Sequence, residues 1–289
     1  MIALMRTIII IILLLPSLLL ARQKVKITHP GVEIPYEPWF TGPLLAPTAV
    51  NMEIGHPAIE PFLFVFNTYG KYDSSWKLKN ETTIWAINPL VDFQFAVTKR
   101  TGVEVIASFV TNIKDGQSKT HFEDTILLLG YQVSDDKKDS WVPDFRFLFQ
   151  TIFPSGNYHQ LDPILEGIDA TGQGAYFFGP NLSFQKLFYL PENFFVLHWS
   201  FGYFYPTKTK IKNHNAYGGG FGTKGTIRPG QIFLAFLSGE YSFNQRWGFA
   251  FDLQFFHQTK TTDFNGRAGI TTTGEPGTVG LPAATQIAF

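Results

Sequence analysis

The chain has 289 residues, no cysteine and 23 acidic against 23 basic residues. The lack of cysteine excludes disulfides and thiolate metal sites, and the balanced charge gives no electrostatic reason to bind nucleic acid. Charged residues make up only 16% of the chain, whereas phenylalanine alone contributes 30 residues. A mean hydropathy of +0.02 is too low for a bundle of membrane helices, but few charges with many aromatic residues are typical of a membrane-spanning β-barrel.

Residues 1–21 have the features of a secretory signal peptide. Arg6 supplies the positive charge, residues 7–20 are almost entirely apolar, and Ala21 suits a cleavage site. Because this apolar stretch is shorter than the ~20 residues of a spanning helix, we expect cleavage rather than a permanent anchor. The proline-rich residues 22–57 are predicted to be an extended lead segment, either periplasmic or folded into the barrel as a plug.

Alternating apolar and polar side chains predict β-strands through the rest of the chain. In residues 247–258, for example, Trp247, Phe249, Phe251 and Leu253 share one face. Ten strands are predicted, at residues 58–70, 82–98, 102–113, 120–133, 141–153, 173–189, 193–206, 230–242, 246–259 and 280–289. Short turns alternate with mostly long loops, as periplasmic turns and external loops do in outer-membrane barrels. We therefore predict an all-β fold, a transmembrane antiparallel up-and-down β-barrel over residues 58–289.

The face opposite the phenylalanines is predicted to line the barrel lumen, because a charge facing lipid costs ~2–4 kcal/mol at mid-bilayer. The candidate lumen-lining residues are Asp92, Gln94, Glu104, Asp124, Asp144, Arg146, Gln150, His198, Ser200, Glu240, Asp252 and Gln254. Their charges are mainly acidic, so the lumen either favours cations or uses the charges to cross-link its interior. Aromatic residues near strand ends, such as Tyr203, Tyr205 and Trp247, are expected to form interfacial girdles.

Several short phrases of the sequence resemble one known family. They are EPWFTGPLLAP at 37–47, GHPAIEPFLF at 55–64, FPSGNY at 153–158, ATGQGAYFFGPNLSFQK at 170–186, LSGEYSFNQRWGFAFDL at 237–253 and LPAATQIAF at 281–289. Together they resemble the outer-membrane channel family associated with the meta-pathway of phenol degradation. Residues 154–156 and 171–174 match its "PTG … GTG" loop, with Ser155 in place of Thr and one Gln inserted. The resemblance implies a barrel that admits small, often hydrophobic molecules, and it assigns no catalytic residues.

The number of strands is the point at which this chain departs from the family. The resemblance implies about twelve strands, whereas ten are visible before Phe289. One alternative is a ten-strand barrel whose terminal phenylalanine is a signal to the barrel-assembly machinery. The other is a truncated twelve-strand barrel, because an unpaired last strand would leave open edges in lipid.

We therefore expect a passive outer-membrane channel for small molecules, exported by a cleaved signal. It is expected to contact outer-membrane lipid, the assembly machinery and a small-molecule substrate, but not nucleic acid, and to need no cofactor or metal. It is not expected to be an enzyme. Two alternatives stay open: a lipid hydrolase using His198 and Ser200, which share a strand face, and an adhesin that displays the long loops.

Overall fold

The computed structural model describes residues 40, 42, 45–73, 75–137, 140–190, 193–244 and 246–289. The predicted signal peptide and most of the lead segment lie outside the described residues. The described strands are β1 (Ala58–Tyr72), β2 (Leu78–Ala96), β3 (Thr101–Lys114), β4 (Gln117–Phe122), β5 (Thr125–Ser134), β6 (Asp144–Phe153), β7 (Phe177–Tyr189), β8 (Phe194–Pro206), β9 (Thr209–Lys212), β10 (Lys224–Arg228), β11 (Ile232–Asn244), β12 (Trp247–Gln258), β13 (Thr262–Arg267) and β14 (Ala284–Ala288). A short 3-10 helix lies at Pro163–Leu165, and no helix in the described residues is both long and apolar enough to cross a bilayer.

Ten of these strands form one antiparallel sheet, in the order β1-β2-β3-β5-β6-β7-β8-β11-β12-β14. The sheet curls into a half-barrel, and its strand order is the predicted up-and-down order. β4 pairs only with β3. Within the described residues no ladder joins β1 to β14, and the antiparallel sheet of the predicted all-β fold is observed as a curled half-barrel.

The ten predicted strands match the strands of this path within a few residues, except for the fourth. Residues 120–133 are observed as two strands, β4 and β5, rather than one. The break falls at Glu123 and Asp124, where one extra residue interrupts the pairing with β3. Such a bulge bends the strand and turns a side chain in a new direction. Here it directs Asp124 towards the loop that follows β6.

The long loops at 207–229 and 260–279 contain a second sheet that the sequence did not predict. β9, β10 and β13 form a three-stranded antiparallel sheet in the order β13-β10-β9. β9 follows β8, β10 leads into β11 and β13 follows β12, so this small sheet extends three neighbouring strands of the half-barrel. Ile211, Ile227 and Tyr217 form a buried cluster on one of its faces. Burial raises the pKa of the Tyr217 hydroxyl, which stays neutral and donates a hydrogen bond to the backbone oxygen of Gln173.

The half-barrel has two faces of opposite character. Phe147, Phe149, Phe201 and Phe249 are exposed, and we call the face that carries them the outer face. The alternate positions carry buried residues and form the inner face, which is mostly polar. The inner face is apolar towards the long-loop ends of β7, β8 and β11. A buried cluster there contains Phe177, Phe204 and Ile232, and Phe256 packs against it, which explains why Phe256 interrupts the polar alternation of β12.

Candidate functional site

The twelve predicted lumen-lining residues lie on or beside the inner face, although whether solutes pass them stays a prediction. The buried ones are Asp92, Gln94, Glu104, Arg146, Gln150, His198, Ser200 and Glu240. The half-buried ones are Asp124, Asp144, Asp252 and Gln254. The structure joins some of them into two clusters and leaves others, such as Gln150 and Gln254, outside them.

Arg146 is at the centre of the first cluster. Its Nη1 lies 3.9 Å from Glu104 Oε2, and nearby the Gln94 amide donates to Asp92 Oδ2 at 2.8 Å. Gly130 makes room for the guanidinium, because an added Cβ would lie 2.4 Å from Arg146 Nε. The cluster therefore combines two carboxylates with one cation, as expected for charges that cross-link a polar interior.

His198 is at the centre of the second cluster. Its Nε2 lies 3.0 Å from Glu240 Oε1, and the Ser238 hydroxyl nearby donates to Asp252 Oδ1. Ser200 is two residues from His198 on the same face, but its hydroxyl makes no hydrogen bond to a described residue. The histidine is thus oriented by a carboxylate, whereas the His–Ser contact that a hydrolase needs is not formed.

Several buried polar atoms of the inner face have no hydrogen-bond partner among the described residues. They include Nε and Nη1 of Arg146, Oε2 of Glu104, Nδ1 of His198 and the Ser200 hydroxyl. An unpaired buried polar group costs about 1–3 kcal/mol, and such groups are therefore normally bonded to protein or to water. The inner face therefore presents donors and acceptors that water can satisfy.

Part of the lead segment lies on the inner face. The Asn51 backbone N–H donates to Gln132 Oε1 at 2.9 Å, and Gln132 Nε2 donates to the Ala49 backbone oxygen at 3.1 Å. All three residues are buried. This reciprocal pair of bonds, which we call the lead-segment latch, ties residues 45–51 to β5. The sequence left open whether this segment is periplasmic or a plug, and its described part contacts the inner face.

Further contacts hold the same segment to other strands. The Ser183 hydroxyl of β7 donates to the Pro47 backbone oxygen at 2.7 Å, and Asn51 Nδ2 donates to the Thr98 backbone oxygen at 3.0 Å. Gly102 is needed here, because an added Cβ would lie 2.2 Å from Asn51 Oδ1. The segment therefore crosses the inner face from β7 to the short turn between β2 and β3.

Asp124 fastens the loop after β6 to the half-barrel. Its Oδ1 accepts the Gly156 N–H and its Oδ2 accepts the Gln173 N–H, both at 2.9 Å. The Thr171 hydroxyl adds a bond to the Phe122 backbone oxygen at 2.7 Å. We call this arrangement the loop clasp. It uses both oxygens of one carboxylate to hold both ends of a loop of about 18 residues.

The glycines of the two family phrases allow this clasp to close. A Cβ at Gly172 would lie 2.5 Å from Asp124 Oδ1, and a Cβ at Gly156 would lie 2.8 Å from the Gly172 Cα. The two glycines therefore contact each other and the carboxylate at distances that no side chain permits. Residues 154–156 and 171–174, which resemble the family loop, form the two halves of this clasp.

The middle of the clasped loop is held separately. Lys114 pairs with Glu166 and holds the pKa of that exposed carboxyl below its usual range. The Asn112 side chain donates to the Ile168 backbone oxygen at 2.9 Å. Asp169 accepts the Asp162 N–H at 2.8 Å, and the described residues contain no group of three or more His, Asp or Glu residues that could hold a metal ion.

A cavity of about 370 Å³ lies between the clasp and the strands β1, β2 and β3. One part of its wall is apolar, formed by Phe66, Ala86 and Val110, and another is polar, formed by Asn88, Asn112 and Glu123. Asn88 and the Ser108 hydroxyl both donate to Glu123 Oε2, at 2.5 and 2.7 Å. No Lys or Arg of the described residues lies within 4 Å of the Glu123 carboxylate, so the cavity combines an apolar wall with net negative charge.

Sequence reasoning missed four residues. Asn51 and Gln132 form the lead-segment latch, and Asn88 and Glu123 line the cavity. Gln132 carried a usable signal, since it has the same strand parity as the buried Leu128. The apolar residues around it hid that signal, because residues 125–133 read as apolar on both faces. Nothing in the sequence singled out Asn51, whose role depends on a contact 81 residues away.

Comparison with known proteins identifies one family. No curated protein matches the chain. One family model matches residues 54–283, and its description reads "Putative MetA-pathway of phenol degradation". The matched residues include the loop clasp, both inner-face clusters and the small sheet. Because it covers most of the chain, the protein belongs to this family, as the short sequence phrases predicted.

Proposed function

We propose that the protein is a passive channel of the bacterial outer membrane for small molecules. In this proposal the outer face contacts lipid, the inner face contacts water and the long loops face the exterior. The protein reaches the membrane by a cleaved signal and the barrel-assembly machinery. It performs no catalytic step and binds no cofactor.

The observation that carries this proposal is the reversal of polarity across the sheet. Exposed phenylalanines such as Phe149 and Phe201 alternate with buried polar residues such as Gln150 and Ser200. A soluble protein would bury the phenylalanines and expose the polar groups. The observed arrangement is stable when lipid surrounds the sheet and water fills it. The family description links these proteins to phenol degradation, which is compatible with a channel for small molecules.

The cavity indicates the chemistry of the solutes. Phe66 and Val110 offer an apolar wall to a small ring, whereas Glu123 and the Asn88 oxygen offer acceptors to a hydroxyl group. The uncompensated Glu123 carboxylate disfavours anions. We therefore propose small neutral molecules with an apolar body and hydroxyl donors, such as hydroxylated aromatic rings, as the substrate class.

Swelling of proteoliposomes tests the proposal. Liposomes with the protein should swell in isotonic arabinose several times faster than empty liposomes. Catechol at millimolar concentration should slow this swelling by occupying the cavity, whereas benzoate, an aromatic ring with a negative charge, should not. Swelling equal to that of empty liposomes would refute the channel. Equal inhibition by both rings would refute the proposed substrate class and leave the channel intact.

A further inference from the structure

The small sheet carries a row of like charges on the face opposite its buried cluster. Lys224 on β10 is paired directly with Lys212 on β9 and with Arg267 on β13. Directly paired residues point to the same face with Cβ atoms roughly 5 Å apart, and like charges in such pairs are destabilising. A row of three cations is therefore unfavourable unless something else supplies negative charge.

The sheet itself supplies little of that negative charge. Asp263 Oδ2 lies 3.5 Å from Lys208 Nζ and 3.1 Å from Arg228 Nε, so this carboxylate is already shared by two cations. The described residues place no carboxylate within 4 Å of Lys210 or of the three cations in the row. Lys210, Lys212 and Lys224 are exposed.

Another cross-strand lysine pair shows how this protein compensates such repulsion elsewhere. Lys71 on β1 is paired directly with Lys79 on β2. Lys71 lies 2.9 Å from Glu81, and Lys79 lies 3.7 Å from Asp73. Each lysine of that pair has its own carboxylate. The small sheet lacks this arrangement among the described residues, so its counter-charge must come from outside the part of the chain that the structure describes.

The position of the small sheet identifies a source of negative charge. The Arg228 guanidinium lies 5.1 Å from the centre of the Tyr205 ring, which is exposed on the outer face of β8. Lys208 and Lys210 follow Tyr205 by three and five residues, or at most ~10 and ~16 Å along the chain. The headgroup layer extends roughly 5–8 Å beyond the hydrocarbon core, and a lysine side chain can reach back towards it. In the outer-membrane placement proposed above, cations in this position face lipid headgroups.

We propose that this cationic face, formed by Lys208, Lys210, Lys212, Lys224, Arg228 and Arg267, binds the phosphate groups of lipids in the leaflet beside the long loops. The proposal rests on the outer-membrane placement proposed above. Phosphate oxygens between Lys212, Lys224 and Arg267 replace like-charge repulsion by charge-assisted hydrogen bonds. The interaction anchors β8, β11 and β12, the strands that the small sheet extends.

Lipid A, the phosphorylated lipid of bacterial outer leaflets, is the probe for this site. Binding is measured by native mass spectrometry of the full chain folded in neutral detergent at low ionic strength. The double variant Lys212→Gln with Lys224→Gln should bind lipid A about 25-fold more weakly, since each lysine near a charged lipid surface contributes about fivefold. In detergent without lipid the same variant should unfold at an equal or higher temperature than the unmodified protein, because two like-charge pairs are removed.

The matched control is Lys71→Gln with Lys79→Gln, which removes the same charge from another cross-strand lysine pair. It should bind lipid A within about twofold of the unmodified protein, because those lysines have carboxylate partners. Equal losses in both double variants, or no loss in either, would overturn the proposal.

Dephosphorylated lipid A should bind weakly, because it lacks the phosphate groups that the cationic face is proposed to bind. Displacement of lipid A by equimolar inorganic phosphate would show a site for free anions and would overturn the lipid assignment. Because binding is measured in detergent, failure here leaves the swelling result unaffected.

Discussion

The substitution Asp124→Ala is expected to release the loop clasp and to raise amide hydrogen exchange at Gly156 and Gln173 by on the order of 100-fold. Each of these amides donates to one oxygen of the same carboxylate. A hydrogen bond to a charged group contributes about 1.5–3 kcal/mol, so the loss of both favours the open loop by at least two orders of magnitude. Hydrogen–deuterium exchange read by mass spectrometry over residues 154–173 measures the change.

The matched control for this variant is Asp115→Asn. Asp115 is an exposed carboxylate in the tight turn between β3 and β4, with a left-handed backbone that asparagine tolerates. Its replacement should leave exchange over 154–173 within about twofold of the unmodified protein. Comparable exchange in Asp124→Ala and Asp115→Asn would mean that the loop is held by its other contacts, such as the Lys114–Glu166 pair.

The substitution Gln132→Ala is expected to open the lead-segment latch and to increase arabinose swelling. It removes both bonds of the latch, those to Asn51 and Ala49. Each neutral hydrogen bond contributes about 0.5–1.5 kcal/mol, so the released fraction of residues 45–51 should rise roughly 10-fold. If this segment narrows the water path, swelling increases in parallel with amide exchange at Asn51.

Gln117→Ala is the control for the latch, because Gln117 is exposed at the start of β4 and makes no hydrogen bond to the described part of the lead segment. It should change neither exchange at Asn51 nor swelling. Faster exchange at Asn51 in Gln132→Ala without faster swelling would show that the segment is a structural brace that leaves the path unobstructed.

The strand pattern could be predicted because a strand has a strict period of two. In β8, Phe201, Tyr203 and Tyr205 are exposed while Gly202 and Phe204 are buried, as the alternation required. The buried Phe204 also shows the limit of the rule. An apolar residue on the inner face is explained only by its neighbours Phe177 and Ile232, which come from other strands.

The features that depend on contacts distant in sequence could not be predicted. Residues 208–225 are rich in glycine, threonine, asparagine and lysine, a composition that predicts a loop, although Ile211 and Ile227 form the buried side of the small sheet. The lead-segment latch joins residues 81 and 83 positions apart, and no local pattern marks such a pair. The charges of the inner face were found from strand parity, but only the structure shows that Arg146 joins Glu104 while His198 joins Glu240.

Cysteine labelling in native outer membranes tests the central claim, that the inner face contacts water and the outer face contacts lipid, most directly. The chain has no cysteine, so each introduced thiol is unique. Gln254 is half-buried on the inner face and the adjacent Phe255 is exposed on the outer face. Gln254→Cys should react with a small membrane-impermeant maleimide, and Phe255→Cys should react only with a lipid-soluble one. The reverse pattern, or equal reaction of both thiols with the impermeant reagent, would contradict the account.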